Sequence, residues 1–242
     1  MARQSAPAIP VLVTRPQAEG ESFAAALTAR FGARVRPVIS PLIAPRFLSP
    51  SIPGHDHARV IFTSAQAVHA ARQLGVPLPT LAWCVGRKTA AVAEAAGFQP
   101  RSADGDVERL ASAILADPPD GRLLYLRGVD THGNLLERLT SSGIVTDVAI
   151  VYTQEPQPLT AEALSLLGSP LDLIVPLFSP RTASLFLQAL PSDTAVRLHL
   201  AVMSASVAAA VQDFPRKAIA PQPDATGMLD AVETLLATLP AP

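Results

Sequence analysis

Thr63 and Ser64 follow a buried-strand pattern, Val60-Ile61-Phe62, and precede a helical one that opens at Ala65. Two consecutive hydroxyls at such a junction can cap the helix and, with the N–H groups of its first turn, hold an anion. Roughly half the chain later, Ile174-Val175-Pro176-Leu177-Phe178-Ser179-Pro180 repeats the plan. Each copy is followed by a second strand ending in small or hydroxylated residues, Cys84-Val85-Gly86-Arg87-Lys88-Thr89 and Ala201-Val202-Met203-Ser204-Ala205-Ser206. These types and spacings support recognition of a ligand carrying several negative charges. Arg15, Arg127 and Arg181 add guanidinium groups able to grip carboxylates in bidentate fashion.

Other chemistries fare worse. Gly86-Arg87-Lys88-Thr89 has the ending of a phosphate-binding loop, but Leu81 stands where the loop's first glycine belongs and no acidic metal partner is evident. That removes a nucleoside triphosphatase. His55, Asp56 and His57 sit in a Pro/Gly stretch with no other clustered ligand, so a solvated loop is expected there and no metal site. His69, His132 and His199 form no constellation with a Ser or Cys nucleophile. The single cysteine, Cys84, lies in an apolar strand pattern and is expected as a buried structural thiol.

The chain has 242 residues, 49% of them hydrophobic, which gives room for one large or two small globular domains. No apolar run approaches the ~20 residues that span a bilayer. Residues 1–10 hold one Arg but no apolar core of signal-peptide length, so they are expected as a frayed start. One cysteine cannot form an intramolecular disulfide, and a cytoplasmic location is expected. The net charge is −1 with Lys and Arg scattered, which argues against a nucleic-acid groove. Backbone N–H groups bind small anions without net positive charge. Nothing marks an obligate interface, so the expectation is a monomer.

The elements that must position these residues alternate. Val11-Leu12-Val13 is a short strand, and Thr14-Arg15-Pro16-Gln17 offers a cap, a proline near the first helical position and a capping-box Gln. Phe23, Leu27 and Phe31 then recur at helical spacing, and Gly32 ends the helix. Residues 35–44, broken by Pro37 and Pro41, read as an extended crossing segment. From Arg59 a strand to Phe62 precedes a helix over about 64–74, and a strand over 81–85 precedes a helix over about 88–96. A helix follows with Val107, Leu110, Ile114 and Leu115 on one face. A strand over 123–126 then leads through Gly128 to a helix bearing Leu135, Leu136 and Leu139. Residues 148–151 form a second extended run, ending at Tyr152. Beyond it come a strand to Phe178, a helix with Phe186, Leu187 and Leu190, and a strand over 198–202. Two helices, with Val207 and Val211 and with Leu229, Val232 and Leu236, complete the chain. Such alternation predicts parallel sheets with helices on both faces. Pro176 falls in an interior strand, which calls for a bulge or an edge position there.

The C-terminal half lacks a first strand–helix unit, which the N-terminus can supply. The expected fold is α/β, two similar flavodoxin-like lobes joined by two extended segments, with a cleft between them. The first lobe takes residues 1–36 and 155–242, the second 48–147, and the linkers 37–47 and 148–154.

In this order the chain resembles the uroporphyrinogen-III synthase family. The matching pieces are Val11-Leu12-Val13-Thr14-Arg15-Pro16, Ile61-Phe62-Thr63-Ser64-Ala65, and Val85-Gly86-Arg87-Lys88-Thr89-Ala90 with Ala96-Gly97-Phe98. Leu124-Tyr125-Leu126-Arg127-Gly128, Val151-Tyr152 and Phe178-Ser179-Pro180 follow, so the resemblance spans nearly the whole chain. Two stretches depart from it. The family usually shows a Gly and one or two Thr where Met203-Ser204-Ala205-Ser206 stands, and often Thr-Ser where Phe178-Ser179 stands.

The resemblance implies a lyase of porphyrin and heme biosynthesis working without metal or cofactor. Its substrate would be hydroxymethylbilane, a linear tetrapyrrole with eight carboxylates that closes spontaneously to the wrong isomer. Loss of the ring-A hydroxyl gives an azafulvene, ring D attacks through its substituted carbon, and the spirocyclic product fragments and recloses as uroporphyrinogen III with ring D inverted. Tyr152 matches the tyrosine that the family places at the cleft, where its hydroxyl would serve as general acid. Substrate contacts would come from Arg15, Thr63, Ser64, Gly86, Thr89, Arg127, Gly128, Ser179, Ser204 and Ser206, with Ser206 capping its helix. A transient contact with hydroxymethylbilane synthase is expected, and none with nucleic acid or membrane. The altered stretch at residues 203–206 also keeps a reading from another class, a non-catalytic two-lobed binding protein for tetrapyrroles or another polyanion.

Overall fold

The computed structural model of the chain describes residues 8–54, 56–131 and 133–240. His55 and His132, and residues 1–7 of the expected fray, lie outside the described residues. In chain order the first elements are β1 (Ile9–Val13), α1 (Gln17–Phe31), β2 (Val35–Ile39), β3 (Ile43–Phe47), β4 (His57–Phe62), α2 (Ala65–Ala71) and β5 (Leu81–Cys84). Then come α3 (Arg87–Ala95), β6 (Gln99–Ser102), α4 (Val107–Ala116), β7 (Arg122–Gly128), α5 (Leu135–Ser141) and β8 (Thr146–Pro156). The rest are α6 (Ala161–Leu167), β9 (Asp172–Leu177), α7 (Pro180–Ala189), β10 (Arg197–Val202), α8 (Ala205–Ala210), β11 (Lys217–Ile219) and α9 (Ala225–Leu236). Two compact units result, Met1–Ala44 with Pro156–Pro242, and Pro45–Glu155.

The first unit is built on a parallel sheet of order β11-β10-β9-β1-β2. The period-2 alternation of its strands divides the core into two layers. Leu12, Val175 and Leu200 pack with α6, α7 and α8 through Ala163, Phe186 and Val207. Val11, Val13 and Ile174 face the other way, onto Phe23 and Leu27 of α1 and Met228 and Val232 of α9.

The second unit has the order β3-β8-β7-β4-β5-β6. From β8 to β6 all neighbours run parallel, and β3 is antiparallel to β8. Leu48 N–H donates to Val151 O at 2.8 Å and Gln157 N–H to Leu42 O at 2.9 Å, which fixes that direction. Val60 and Phe62 pack on Ala67 and Val68 of α2, whereas Ile61 and Trp83 face Leu110 and Ile114 of α4 and Leu135 and Leu139 of α5. Parallel sheets flanked by helices are thus what the alternation predicted.

Several local readings need correction. Ile9 and Pro10 are in β1, not in a fray. The segments 37–47 and 148–154 keep an extended backbone, and much of each pairs in a sheet: β2 pairs along its whole length with β1, and β8 pairs with β7. Prolines are tolerated on edge strands because one row of N–H groups there has no partner to serve, which is how Pro37 and Pro45 fit. Three elements, β6, α6 and β11, had gone unread. The two strands are short edges with little apolar alternation, and α6 spans seven residues.

Pro176 is neither bulged nor on an edge, because β9 is interior and keeps an unbroken register with β10. Leu177 O accepts from Met203 N–H at 3.0 Å, so the polar groups of Leu177 face β10 and those of Pro176 face β1. Val13 O accepts from Ser40 N–H at 2.9 Å, so Val13 faces β2, and Leu12 and Pro10 face β9. The missing N–H groups of Pro10 and Pro176 therefore fall on one seam, where the pairing contracts to Val11 opposite Ile174.

Candidate active site

Both sheets reverse their winding once, between β1 and β9 in the first unit and between β4 and β7 in the second. Flanking helices diverge to opposite faces at such a reversal, and the crevice at the carboxyl ends of the strands is where open α/β sheets bind ligands. The candidate residues cluster at these two carboxyl edges.

In the second unit β4 ends at Phe62, and Thr63 and Ser64 turn the chain into α2. Ser64 is the N-cap: extended, at φ −151° and ψ 152°, it accepts from Ala67 N–H at 3.2 Å. Its Oγ also lies 3.0 Å from the Tyr152 hydroxyl. The Thr63 Oγ1 lies 3.1 Å from the hydroxyl of Tyr125, on β7. The chain has two tyrosines, and each engages one of these two consecutive hydroxyls. They do so from opposite faces of the sheet, since Tyr125 belongs to the core layer under α4 and α5 and Tyr152 to the layer under α2.

A β-bulge aims Tyr152. The register of β7 against β8 pairs Arg127 with Ile150 and then Gly128 with Tyr152, so β8 holds an extra residue at Val151. Val151 and Tyr152 consequently lie in the same core layer, with Ile150 turned out. Regular alternation would send Tyr152 to the other face. Gly128 completes the arrangement. A Cβ there would stand 2.6 Å from Tyr152 Cζ and 3.0 Å from its hydroxyl, so Gly128 makes room for the phenol. Arg127 spends part of its guanidinium on its own loop, donating to Gly128 O and Val129 O at 3.1 and 3.2 Å.

Thr63, Ser64, Arg127, Gly128 and Tyr152 are thus brought together. Gly86 is the N-cap position of α3 on the next strand, and Thr89 is a buried residue of that helix, not its cap. A cavity of about 310 Å³ opens beside Tyr125 and Arg127, against Asn134 and Leu135 at the start of α5. Tyr125 was missed in the sequence because it reads there as one apolar position of a buried strand. Burial holds its phenol above the usual tyrosine pKa, so it stays protonated at neutral pH.

The first unit carries the other candidates. The Arg15 guanidinium lies 4.0 Å from the centre of the Phe178 ring, across the β1–β9 reversal, and burial lowers its pKa against an opposing pull from Glu19. Thr14 keeps a buried hydroxyl with no hydrogen-bond partner among the described residues. Ser179 caps α7, accepting from Thr182 N–H at 3.1 Å. Ser206 does not cap: it lies inside α8, Ser204 holds the N-cap position, and the two hydroxyls are 2.9 Å apart. Arg181 is an exposed residue of α7.

The amino-terminal edges are occupied by ion pairs. His57 is no loop residue: it opens β4, its side chain is buried, and its Nε2 lies 3.0 Å from Asp147, which also takes two bonds from Arg122. Asp172 is gripped in the same way by Arg197 and by His199 Nε2 at 2.9 Å. The arginine bonds hold both carboxyls below the usual carboxylate range, Asp172 at about 2. A larger cavity of about 590 Å³ opens at this edge of the first sheet, and none of the candidate residues lines it. Cys84 is buried at the end of β5, in the core layer under α2, and desolvation pushes its thiol up to about 11, which suits a structural role. Among the described residues no group of three or more His, Cys, Asp or Glu could hold a metal ion, and no helix is long and apolar enough to cross a membrane.

Fold and site define a doubly wound α/β protein whose candidate chemistry rests on hydroxyls at the carboxyl edge of its sheets. The family model described as uroporphyrinogen-III synthase HemD matches residues 21–230, and the chain belongs to the uroporphyrinogen-III synthase family, a family of lyases. No curated protein sequence matches the chain. Among solved structures it is similar to the uroporphyrinogen-III synthetase of Helicobacter pylori. The TM-score is 0.61 at 17% identity, over 94% of this chain and 99% of that one, a likeness of fold. It is also similar to a mutant uroporphyrinogen III synthase of the extremely thermophilic bacterium Thermus thermophilus, with a TM-score of 0.46 at 18% identity, over 96% of this chain and 100% of that one.

Proposed function

We propose that this chain cyclises hydroxymethylbilane to uroporphyrinogen III, with loss of one water and inversion of ring D. The observation that carries the chemistry is the Tyr152–Ser64 pair at the carboxyl edge of the second sheet, 3.0 Å apart. Ser64 already accepts the Ala67 N–H, and its own proton can go to the Tyr152 oxygen. Tyr152 then keeps its proton for the substrate. The ring-A hydroxyl takes that proton and leaves as water, with the pyrrole nitrogen supplying electrons to form the azafulvene. Ring D attacks through its substituted carbon and gives the spirocyclic pyrrolenine. The bond from ring D to the methylene shared with ring C breaks, and that methylene bonds to the other α-carbon of ring D. The proton displaced from this carbon balances the one that Tyr152 gave.

Substrate minus water equals product, and no electrons are exchanged, so the balance calls for no redox group. Folding the substrate is the larger task, for which positioning can supply on the order of 7–11 kcal/mol in favourable intramolecular cases. Thr63, Gly86, Thr89, Arg127 and Gly128 in the second unit, and Arg15, Ser179, Ser204 and Ser206 in the first, are assigned to carboxylates and backbone approach. On this reading the protein works as a cytoplasmic monomer and takes its substrate during a brief contact with hydroxymethylbilane synthase, because the free bilane closes spontaneously.

The test is an isomer assay. Hydroxymethylbilane is generated in place by its synthase, the protein is added, and the oxidised type I and type III porphyrins are separated by chromatography. A large excess of type III is expected. A type I product matching the protein-free control would refute the cyclase and leave a binding protein for tetrapyrroles or another polyanion.

A further inference from the structure

Tyr125 contacts a hydroxyl at the carboxyl edge as Tyr152 does, yet it serves no step of the reaction above. It is 4% exposed, and Thr63 is its one hydrogen-bond partner among the described residues. Either hydroxyl can donate across the 3.1 Å contact, and the orientation taken here has Tyr125 donating to Thr63 Oγ1, its one partner among the described residues. In that orientation Thr63 accepts from the phenol, and its own proton points away from it.

The hydroxyl of Thr63 is thereby set up as a donor, whereas the Ser64 hydroxyl beside it is committed to Ala67 and Tyr152. Thr63 is half-buried and directly follows the interior strand β4, at the point where the sheet reverses its winding. A fixed donor in such a place suits an anionic acceptor, since charge-assisted hydrogen bonds are about twice as strong as neutral ones. The Arg127 side chain adds a favourable charge nearby.

We propose that Tyr125 is a positioning residue that fixes Thr63 as a hydrogen-bond donor to a substrate carboxylate. The inference rests on the proposed reaction and divides its labour between the two tyrosines: Tyr152 serves the leaving hydroxyl from one face of the sheet, and Tyr125 serves binding from the other.

Tyr125→Phe keeps the ring and removes the proton that orients Thr63. The expected result is a KM for hydroxymethylbilane raised about three- to tenfold with kcat and the type III product unchanged. Thr63→Val should raise KM by a similar factor, and Tyr125→Phe made in that background should add nothing further, because the phenol acts through Thr63. Thermal unfolding of each variant accompanies the kinetics. An unchanged KM in Tyr125→Phe, or a full additional rise on top of Thr63→Val, would overturn the proposal, as would a fall in kcat alone. Failure of the wild-type protein to make type III product would instead refute the proposed reaction, so the two failures are told apart.

Discussion

Gly128 leaves the space that the Tyr152 phenol fills, and the bulge at Val151 points the ring there. One glycine and one extra residue on the neighbouring strand therefore act as a single device for holding a hydroxyl beside Ser64. A methyl group at position 128 would meet the ring at 2.6 Å from Cζ, inside any real contact distance. Gly128→Ala should displace the phenol and cost about 1–3 kcal/mol, as overpacking of a filled site does. Turnover should fall to the level of Tyr152→Phe, while type III remains the product. Wild-type kinetics in this variant would show that the ring moves without consequence.

Ser64 holds two roles that can be separated. As the cap of α2 it is worth about 1 kcal/mol of stability. As the partner of Tyr152 in the proposed reaction, it would keep the phenolic proton directed at the substrate. Tyr152→Phe should lower kcat by about a hundredfold, the low end for a general acid, because the substrate also ionises spontaneously. Ser64→Ala should lower kcat by a smaller factor together with stability. Ser64→Gly, which a helix start tolerates with a loss of only a few tenths of a kcal/mol, should leave the thermal midpoint almost intact and lower kcat just as much. Equal kcat in wild type and Ser64→Gly would confine Ser64 to capping.

The fold was legible where burial is two-sided. Val60-Ile61-Phe62 and Leu123-Leu124-Tyr125-Leu126 are interior strands, and continuous apolar runs of that length have few other uses. The edges were not legible, because β6 and β11 bury little and so carry no pattern. The hydroxyls of Thr63, Ser64 and Ser179, just past their strands, announced themselves through the helices they precede. The pairing of Thr63 with Tyr125 did not, since it depends on β7 lying beside β4, a neighbour reached only after two intervening strands. Nor did the hydrogen bonds of His57 and His199. Each is completed by an aspartate from another strand, and His57 read from its Pro/Gly surroundings alone was assigned to a loop.

Cys84 offers a check on the second core that does not depend on activity. Its thiol is 0% exposed and pushed up to about 11 by desolvation. The thiolate is the reactive species, so both access and ionisation are withheld at neutral pH. An aromatic disulfide reagent in mildly alkaline buffer should leave the native protein unlabelled and react with its single cysteine once denaturant is added. Rapid native labelling would mean that the layer under α2 opens readily. That would undercut the fixed placement of Tyr152, which belongs to the same layer.

Asp172 gives the first unit an acid-sensitive anchor at the edge remote from its candidate residues. Two bonds from Arg197 and one contact with His199 hold its carboxyl at about 2, with the arginine bonds the largest cause. An unfolded aspartate titrates near ~4, so the folded value is depressed. The sign follows: the stabilisation is complete above about pH 4 and is lost as pH falls toward the folded value of about 2. Asp172→Asn mimics the protonated state at every pH. It should lower stability at neutral pH by about 1–3 kcal/mol, the usual loss when a charged group's hydrogen bonds are weakened. Thermal midpoints of wild type and variant measured from neutral pH downward should run apart until about pH 4 and then converge. Midpoints separated by the same interval at neutral pH and in strong acid would mean that the carboxylate charge contributes nothing, and that the side chain acts through shape alone.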